Sequence, residues 1–175
     1  MRAPRFSRNL PQLALALALS IAIAACAPAP LYKTGTAFAN ATPVQVASSP
    51  GNFAGMQTVW GGTVIGVDNR ENHTELRILG YPLDSSQRPR LKQPASGRFI
   101  AVVPGFLDPM TFPSGIPVTV LGRLDGVQTA AVGGASYPYP VMRVTPEDLH
   151  RWTPDEMRQG HPNIHFGVGV GVGIR

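Results

Sequence analysis

Cys26 is the only cysteine in 175 residues, and it stands directly behind Ile23-Ala24-Ala25. Ahead of it runs an apolar segment, residues 13–25, built of Leu, Ile and Ala and interrupted only by Ser20. Ahead of that segment Arg2, Arg5 and Arg8 make a cationic start without an acid. An apolar run of that length suits the core of a signal peptide and falls short of the roughly 20 residues of a spanning helix. Ala24 and Ala25 are small enough to enter a peptidase groove. The expected chemistry is lipidation: a diacylglyceryl group on Cys26, removal of residues 1–25, and an N-acyl chain on the new terminus. One acyl chain holds a bilayer only marginally, whereas two or more anchor stably. The residue after the cysteine is Ala27, not the Asp that commonly retains lipoproteins in the inner membrane, so sorting to the outer membrane is expected, with the domain on its periplasmic face. Membrane contact is by anchor, with no other cofactor expected.

The remaining reactive side chains form no constellation. His161 and His165 have helical metal-ligand spacing, but Pro162 lies between them and no cysteine or carboxylate joins them. They read as a surface pair, and no metal site is expected. Asp84 and Asp108 each sit in a turn, beside Ser85 and Pro109, where Asp caps backbone N–H groups. Ser85 and Ser86 lack a nucleophile elbow, and Gly133-Gly134 lacks the Lys-Ser/Thr of a phosphate loop. No catalytic residue is assigned, and the expectation is a non-enzyme. Phe106, Tyr137 and Tyr139 are candidates to face an apolar or glycan ligand, against the plainer reading of core filling and turn rigidity. Without residues 1–25 the chain keeps 12 Lys/Arg against 10 Asp/Glu, which is no nucleic-acid footprint. The nearest approach to a basic cluster, Arg88, Arg90 and Lys92, lies in a proline-containing loop and reads as solvated surface.

These residues need elements to hold them. Residues 26–55 are rich in Ala, Pro, Thr and Ser without sustained period, and read as a tether with order starting near Phe53. From Met56 the pattern is of strands: 59–67 with Gly61-Gly62 inside it, 74–79 with alternating faces, 98–103 as an unbroken apolar run, 117–124, and 141–144. Residues 126–136 read as a small, flexible stretch, and Tyr137-Pro138-Tyr139-Pro140 as a rigid lead into the last strand. Thr145-Pro146-Glu147-Asp148 and Thr153-Pro154-Asp155-Glu156 read as short helices, the second with a capping box, and Trp152 between them is expected to pack on the barrel. The last residues, 167–174, put Val on one strand face and Gly on the other: either an added strand, on this barrel or on a neighbouring envelope protein, or a frayed end. The expected fold is all-β, a small five-stranded OB-like barrel with short helical turns, with a β-sandwich of the same strand count as the other architecture. The expected division is a signal peptide over 1–25, a lipidated N-terminus and flexible tether over 26–55, the barrel over 56–152 and a C-terminal segment over 153–175.

Gly61-Gly62, Pro82-Leu83-Asp84-Ser85, Gly97-Arg98, Gly105-Phe106-Leu107-Asp108-Pro109, Val118-Thr119-Val120-Leu121-Gly122 and Tyr137-Pro138-Tyr139 follow one another in an order that resembles the Slp family of outer-membrane lipoproteins. The resemblance runs from Gly61 to Trp152. It implies an outer-membrane lipoprotein, linked in some members to starvation, stationary phase or acid stress. Other envelope proteins are the expected partners of such a chain. It supplies no reaction, and the Gly-Val tail and His161/His165 fall outside its motifs.

Overall fold

The computed structural model describes residues 29–35 and 38–158. The segment Ile23-Ala24-Ala25-Cys26-Ala27, the pair His161/His165 and the Gly-Val tail lie outside the described residues.

Six strands carry the described chain: β1 (Gln57–Asn69), β2 (His73–Tyr81), β3 (Gly97–Pro104), β4 (Pro117–Val132), β5 (Ala135–Arg143) and β6 (Leu149–Arg151). β2 shows the plainest alternation: Thr74, Leu76 and Ile78 are buried, while Glu75 and Arg77 between them are half-buried. β1 pairs antiparallel with β2, and β2 with β3. β3 runs parallel to β5, β5 antiparallel to β4, and β4 returns antiparallel to β1. The first five strands therefore close a ring, in which each has a neighbour on both edges over part of its length. β6 lies on β4 outside that ring.

β4 serves three neighbours because it bends. Residues 117–123 pair with β1, pairing with β5 starts at Arg123 and Leu124, and the register of that second ladder shifts between Leu124 and Val127 before it continues to Val132. Gly126, at φ 101°, sits in that irregularity, a backbone position that suits glycine. Inside the ring Trp60, Val64, Leu76, Ile78, Phe99, Ala101, Val103, Val118, Val120, Leu124 and Met142 form one core. The Trp60 and Phe99 rings meet edge-on, with centroids 5.0 Å apart.

Three parts differ from the sequence reading. β4 and β5 extend through residues 126–140 as a paired hairpin that turns at Gly133-Gly134, both with positive φ. Two consecutive left-handed residues between paired strands make the two-residue turn that matches strand twist. Small residues had concealed the alternation there.

The chain is also packed well before Met56. Phe38 bridges Gln57, the Ala39 N–H donates to the Gln57 carbonyl at 2.8 Å, and the Trp60 indole N–H donates to the Ala41 carbonyl at 2.8 Å. Helix α1 (Pro43–Ser48) then starts at Thr42, whose side chain and that of Gln45 form a capping box. It packs across β3 and β5 and sends Val46 into the core. The composition of residues 38–55 resembles a linker because their partners lie far away in sequence.

The third difference is β6, which Leu149–Arg151 form between the two short helical turns. Those turns themselves lie where expected: a 3-10 turn at Pro146–Asp148 and helix α2 (Pro154–Arg158). At α2, Glu156 Oε2 accepts from the Thr153 N–H at 2.7 Å while Thr153 Oγ1 accepts from the Glu156 N–H at 3.3 Å, a capping box. Trp152 is buried on the outer face of the ring.

Candidate functional site

Thr119 lies on β4 opposite Gly61 of β1, and its side chain points away from the core that Val118 and Val120 enter. A hydroxyl on that face needs a cover and partners. The cover is the segment that follows β2. A Cβ on Gly61 would come within 2.8 Å of Leu83 Cδ2 and 2.9 Å of Thr119 Oγ1, so the missing side chain is what admits the loop. Gly62 is more constrained: its Cβ would stand 2.0 Å from the Leu79 carbonyl oxygen.

Asp84 shapes that loop. Its Oδ1 accepts from the Ser86 N–H at 2.8 Å and the Arg88 N–H at 2.9 Å, an Asx-type turn. Leu83 bridges Pro89, which closes the base of the loop. Gln87 takes a left-handed conformation at its tip, φ 64°, and presents its carbonyl to Thr119. Thr119 Oγ1 donates to that carbonyl at 2.7 Å and accepts from the Trp152 indole N–H at 2.8 Å. The buried hydroxyl thus ties the loop and the segment after β6 to the ring.

The N-terminal segment around Tyr32 joins the same point. The Tyr32 N–H donates to Gln87 Oε1 at 2.7 Å, and Gln87 Nε2 donates to the Tyr32 carbonyl at 2.9 Å. Burial, with the Asp148 charge adding to it, pushes the Tyr32 hydroxyl up to about 12. The Arg88 guanidinium lies over the Trp152 ring, 5.6 Å from its centroid, and His150 meets that ring edge-on at 4.4 Å. Arg88 Nε and Nη1, the Tyr32 hydroxyl and His150 Nε2 are buried without a hydrogen-bond partner among the described residues. A cleft of about 510 Å³ opens beside Arg88, with Arg90, Lys92 and Asp84 also in its lining. Glu156, held below the usual carboxylate range by the Thr153 backbone N–H and then its hydroxyl, is occupied in capping α2.

The structure does not assemble the three aromatic candidates. Phe106 is 73% exposed in the turn after β3, whereas Tyr139 is 2% exposed. Tyr137 and Tyr139 meet edge-on at 5.0 Å and accept from Arg98 at the opposite end of β3, through its N–H and its guanidinium. None of the three lines the clefts of about 530, 510 and 350 Å³. Asp108 accepts from the Met110 N–H at 2.9 Å, ahead of which Gly105 takes φ 80° and the Leu107 N–H donates to Thr74 Oγ1 at 3.0 Å. Pro109 follows Asp108 in that turn, so Asp84 and Asp108 each hold a separate loop. Pro82 accepts from the Arg90 N–H at 2.8 Å through its carbonyl. Among the described residues no three His, Cys, Asp or Glu side chains gather as a metal site.

The positions that motif reading passed over are Thr119, Gln87, Trp152 and Tyr32 as one clamp. Thr119 was visible only as a polar residue between Val118 and Val120. Arg88 was read as solvated, yet most of its guanidinium edge is buried.

The model of the outer membrane lipoprotein Slp family matches residues 23–168. The chain belongs to that family. It is 41% identical over 109 residues to the uncharacterized lipoprotein YeaY of Escherichia coli (strain K12), a match covering 62% of this chain and 55% of that protein. It is 34% identical over 128 residues to the outer membrane protein Slp of the same strain, covering 73% of this chain and 66% of that protein. An uncharacterized protein of Haemophilus influenzae is 32% identical over 95 residues, 53% of this chain and 50% of that one. The chain thus spans about half to two thirds of the length of these curated relatives. No solved structure matches it. Slp-family membership makes it one of a set of outer membrane lipoproteins, as the ordered motifs from Gly61-Gly62 onward imply.

Proposed function

We propose that this Slp-family protein is a non-enzymatic lipoprotein, held at the outer membrane by a diacylglyceryl group and an N-acyl chain on Cys26. Its OB-like barrel stands on the periplasmic face and serves envelope maintenance or the starvation and stationary-phase stress response through contacts with other envelope components. The observation that carries the reading is the family match over residues 23–168, which begins at the Ile23-Ala24-Ala25-Cys26 segment. The barrel assignment is supported by strand order: a five-strand ring in which only β3 and β5 run parallel. The matched relatives carry the names of a lipoprotein and an outer membrane protein.

The rival reading, a barrel face that binds an apolar or glycan ligand through Phe106, Tyr137 and Tyr139, loses its geometric basis. The phenylalanine and the tyrosines sit at opposite ends of β3. The deciding experiment is a Cys26→Ser chain expressed in a Gram-negative host. The expected result is loss of fatty acid from the N-terminal peptide by mass spectrometry and loss of processing after Ala25. A Cys26→Ser chain that is still cut at that bond and sediments with the outer membrane overturns the proposal.

A further inference from the structure

The Arg88 side chain is an anomaly on this surface. A guanidinium carries five N–H donors and cannot shed its proton. Two of its nitrogens, Nε and Nη1, are buried against Trp152 with no acceptor among the described residues. Those two nitrogens have almost no contact with solvent, and no carboxylate among the described residues pairs with the guanidinium, so its charge is uncompensated and an anion in the cleft offsets that cost. Arg90 and Lys92 line the same cleft, and both are exposed. The acid in the lining, Asp84, spends Oδ1 on two backbone N–H groups. The acids of the adjacent α2 are also engaged: Glu156 with Thr153, and Asp155 with Arg158. With three cations against one carboxylate in its lining, the cleft presents excess positive charge. Leu91, a large apolar side chain, is 40% exposed beside it, and Met157 completes its wall.

Chain length supplies the occupant. Tyr32 is hydrogen-bonded through its backbone to Gln87, the residue before Arg88. Cys26 lies six residues upstream, and six extended residues reach at most ~20 Å. If Cys26 holds the lipid, the basic cleft stands beside the point where the chain leaves the bilayer. Charges within about a Debye length, ~10 Å, of an anionic surface are not screened from it. Cations around an exposed leucine match the boundary between headgroups and acyl chains.

From this we infer that the 84–93 loop is a docking site for anionic phospholipid, with Arg88, Arg90 and Lys92 receiving the headgroup phosphate in the leaflet that holds the anchor. The inference rests on the lipidation of Cys26. Docking then fixes how the domain is oriented on the membrane, where a lipid and a free tether alone would leave it to tumble.

The test uses the full mature lipoprotein in vesicles. Gln93 lines the cleft and is exposed, so Gln93→Cys accepts an environment-sensitive fluorophore once the Cys26 sulfur is blocked as the diacylglyceryl thioether. The expected result is a blue shift in vesicles of phosphatidylcholine with phosphatidylglycerol, and none in phosphatidylcholine alone. Arg88→Gln with Arg90→Gln and Lys92→Gln lowers the docking equilibrium on the order of a hundredfold. Arg90→Gln with Lys92→Gln alone, which leaves the Trp152 stack intact, lowers it on the order of tenfold. Equal shifts in both vesicle types overturn the inference. So does an equal shift from inorganic phosphate without anionic lipid, which identifies a soluble anion as the ligand. The mass of the N-terminal peptide is read on the same sample: an unacylated Cys26 refutes the anchor, whereas an acylated protein with no lipid-dependent shift refutes the docking site alone.

Discussion

Thr119→Val isolates the clamp on the outer face. Valine keeps the β-branched shape that suits β4 but has no hydroxyl. Two buried groups then lose their partner at once: the Trp152 indole N–H, now 2.8 Å from Oγ1, and the Gln87 carbonyl, now 2.7 Å away. Leaving a buried polar group unsatisfied costs about 1–3 kcal/mol. With both affected, the expected loss is about 2–5 kcal/mol, which for a domain of this size lowers Tm by roughly 8–20 °C. Thr119→Ser is the control. It keeps the hydroxyl and loses one buried methyl group, at about 1 kcal/mol. Urea unfolding of the three proteins, followed by far-UV circular dichroism, measures the difference. Trp152→Phe combined with Thr119→Val should cost less than the sum of the two single changes, because the shared hydrogen bond is removed only once. If Thr119→Val unfolds within about 0.5 kcal/mol of Thr119→Ser, the hydroxyl is not a clamp and the reasoning fails.

Other outcomes follow from the same geometry. Gly62→Ala puts a Cβ 2.0 Å from the Leu79 oxygen, so β1 and β2 must separate; the expected cost exceeds about 4 kcal/mol, and soluble folded yield should collapse. Phe106→Ala, at a side chain 73% exposed, should change unfolding free energy by less than about 0.5 kcal/mol, whereas Phe99→Ala, at a fully buried one, should cost about 3–5. The Tyr32 hydroxyl, raised to about 12 by burial and then by Asp148, is neutral in the folded chain and ionises near 10 when unfolded. Its contribution is complete below pH 10 and lost as pH rises toward 12; absorbance at 295 nm should show a late-titrating component that is lost in Tyr32→Phe. Glu156 is depressed by the Thr153 N–H, so its contribution is present above the usual carboxylate range and lost on acidification through the folded value. Amide protection at residues 153–158, corrected for the intrinsic exchange rate, should fall as pH falls through that range, and Glu156→Gln should abolish that fall.

The strands were legible where one face is wet. β2 alternates because its neighbours on both sides demand it, and Leu76 and Ile78 declare the buried face. Caps were legible too, since Thr153 and Glu156 interact across three residues. The β4–β5 arm was missed because alanine, glycine and serine carry little hydrophobic contrast, so its alternation had no amplitude. Residues 38–55 were read as linker for a related reason: their backbone partners, Gln57 and the Trp60 indole, belong to another element. Arg88 was placed in solvent because charge in a proline-containing loop is commonly solvated, and nothing within the loop tells that Trp152 will lie beneath it.

From composition and local order alone, then, the chain declares a lipidation motif at Cys26, a strand-rich domain and the turns that punctuate it. Each is written in residues a few positions apart, where propensity and capping act without help from the rest of the molecule. Tertiary structure alone decided that five strands close on themselves, that residues before Met56 seal against them, and that Tyr32, Gln87, Thr119 and Trp152 become one clamp. The clamp alone joins residues as much as 55 positions apart. They depend on which faces remain once the ring has closed, and no stretch of sequence carries that information by itself.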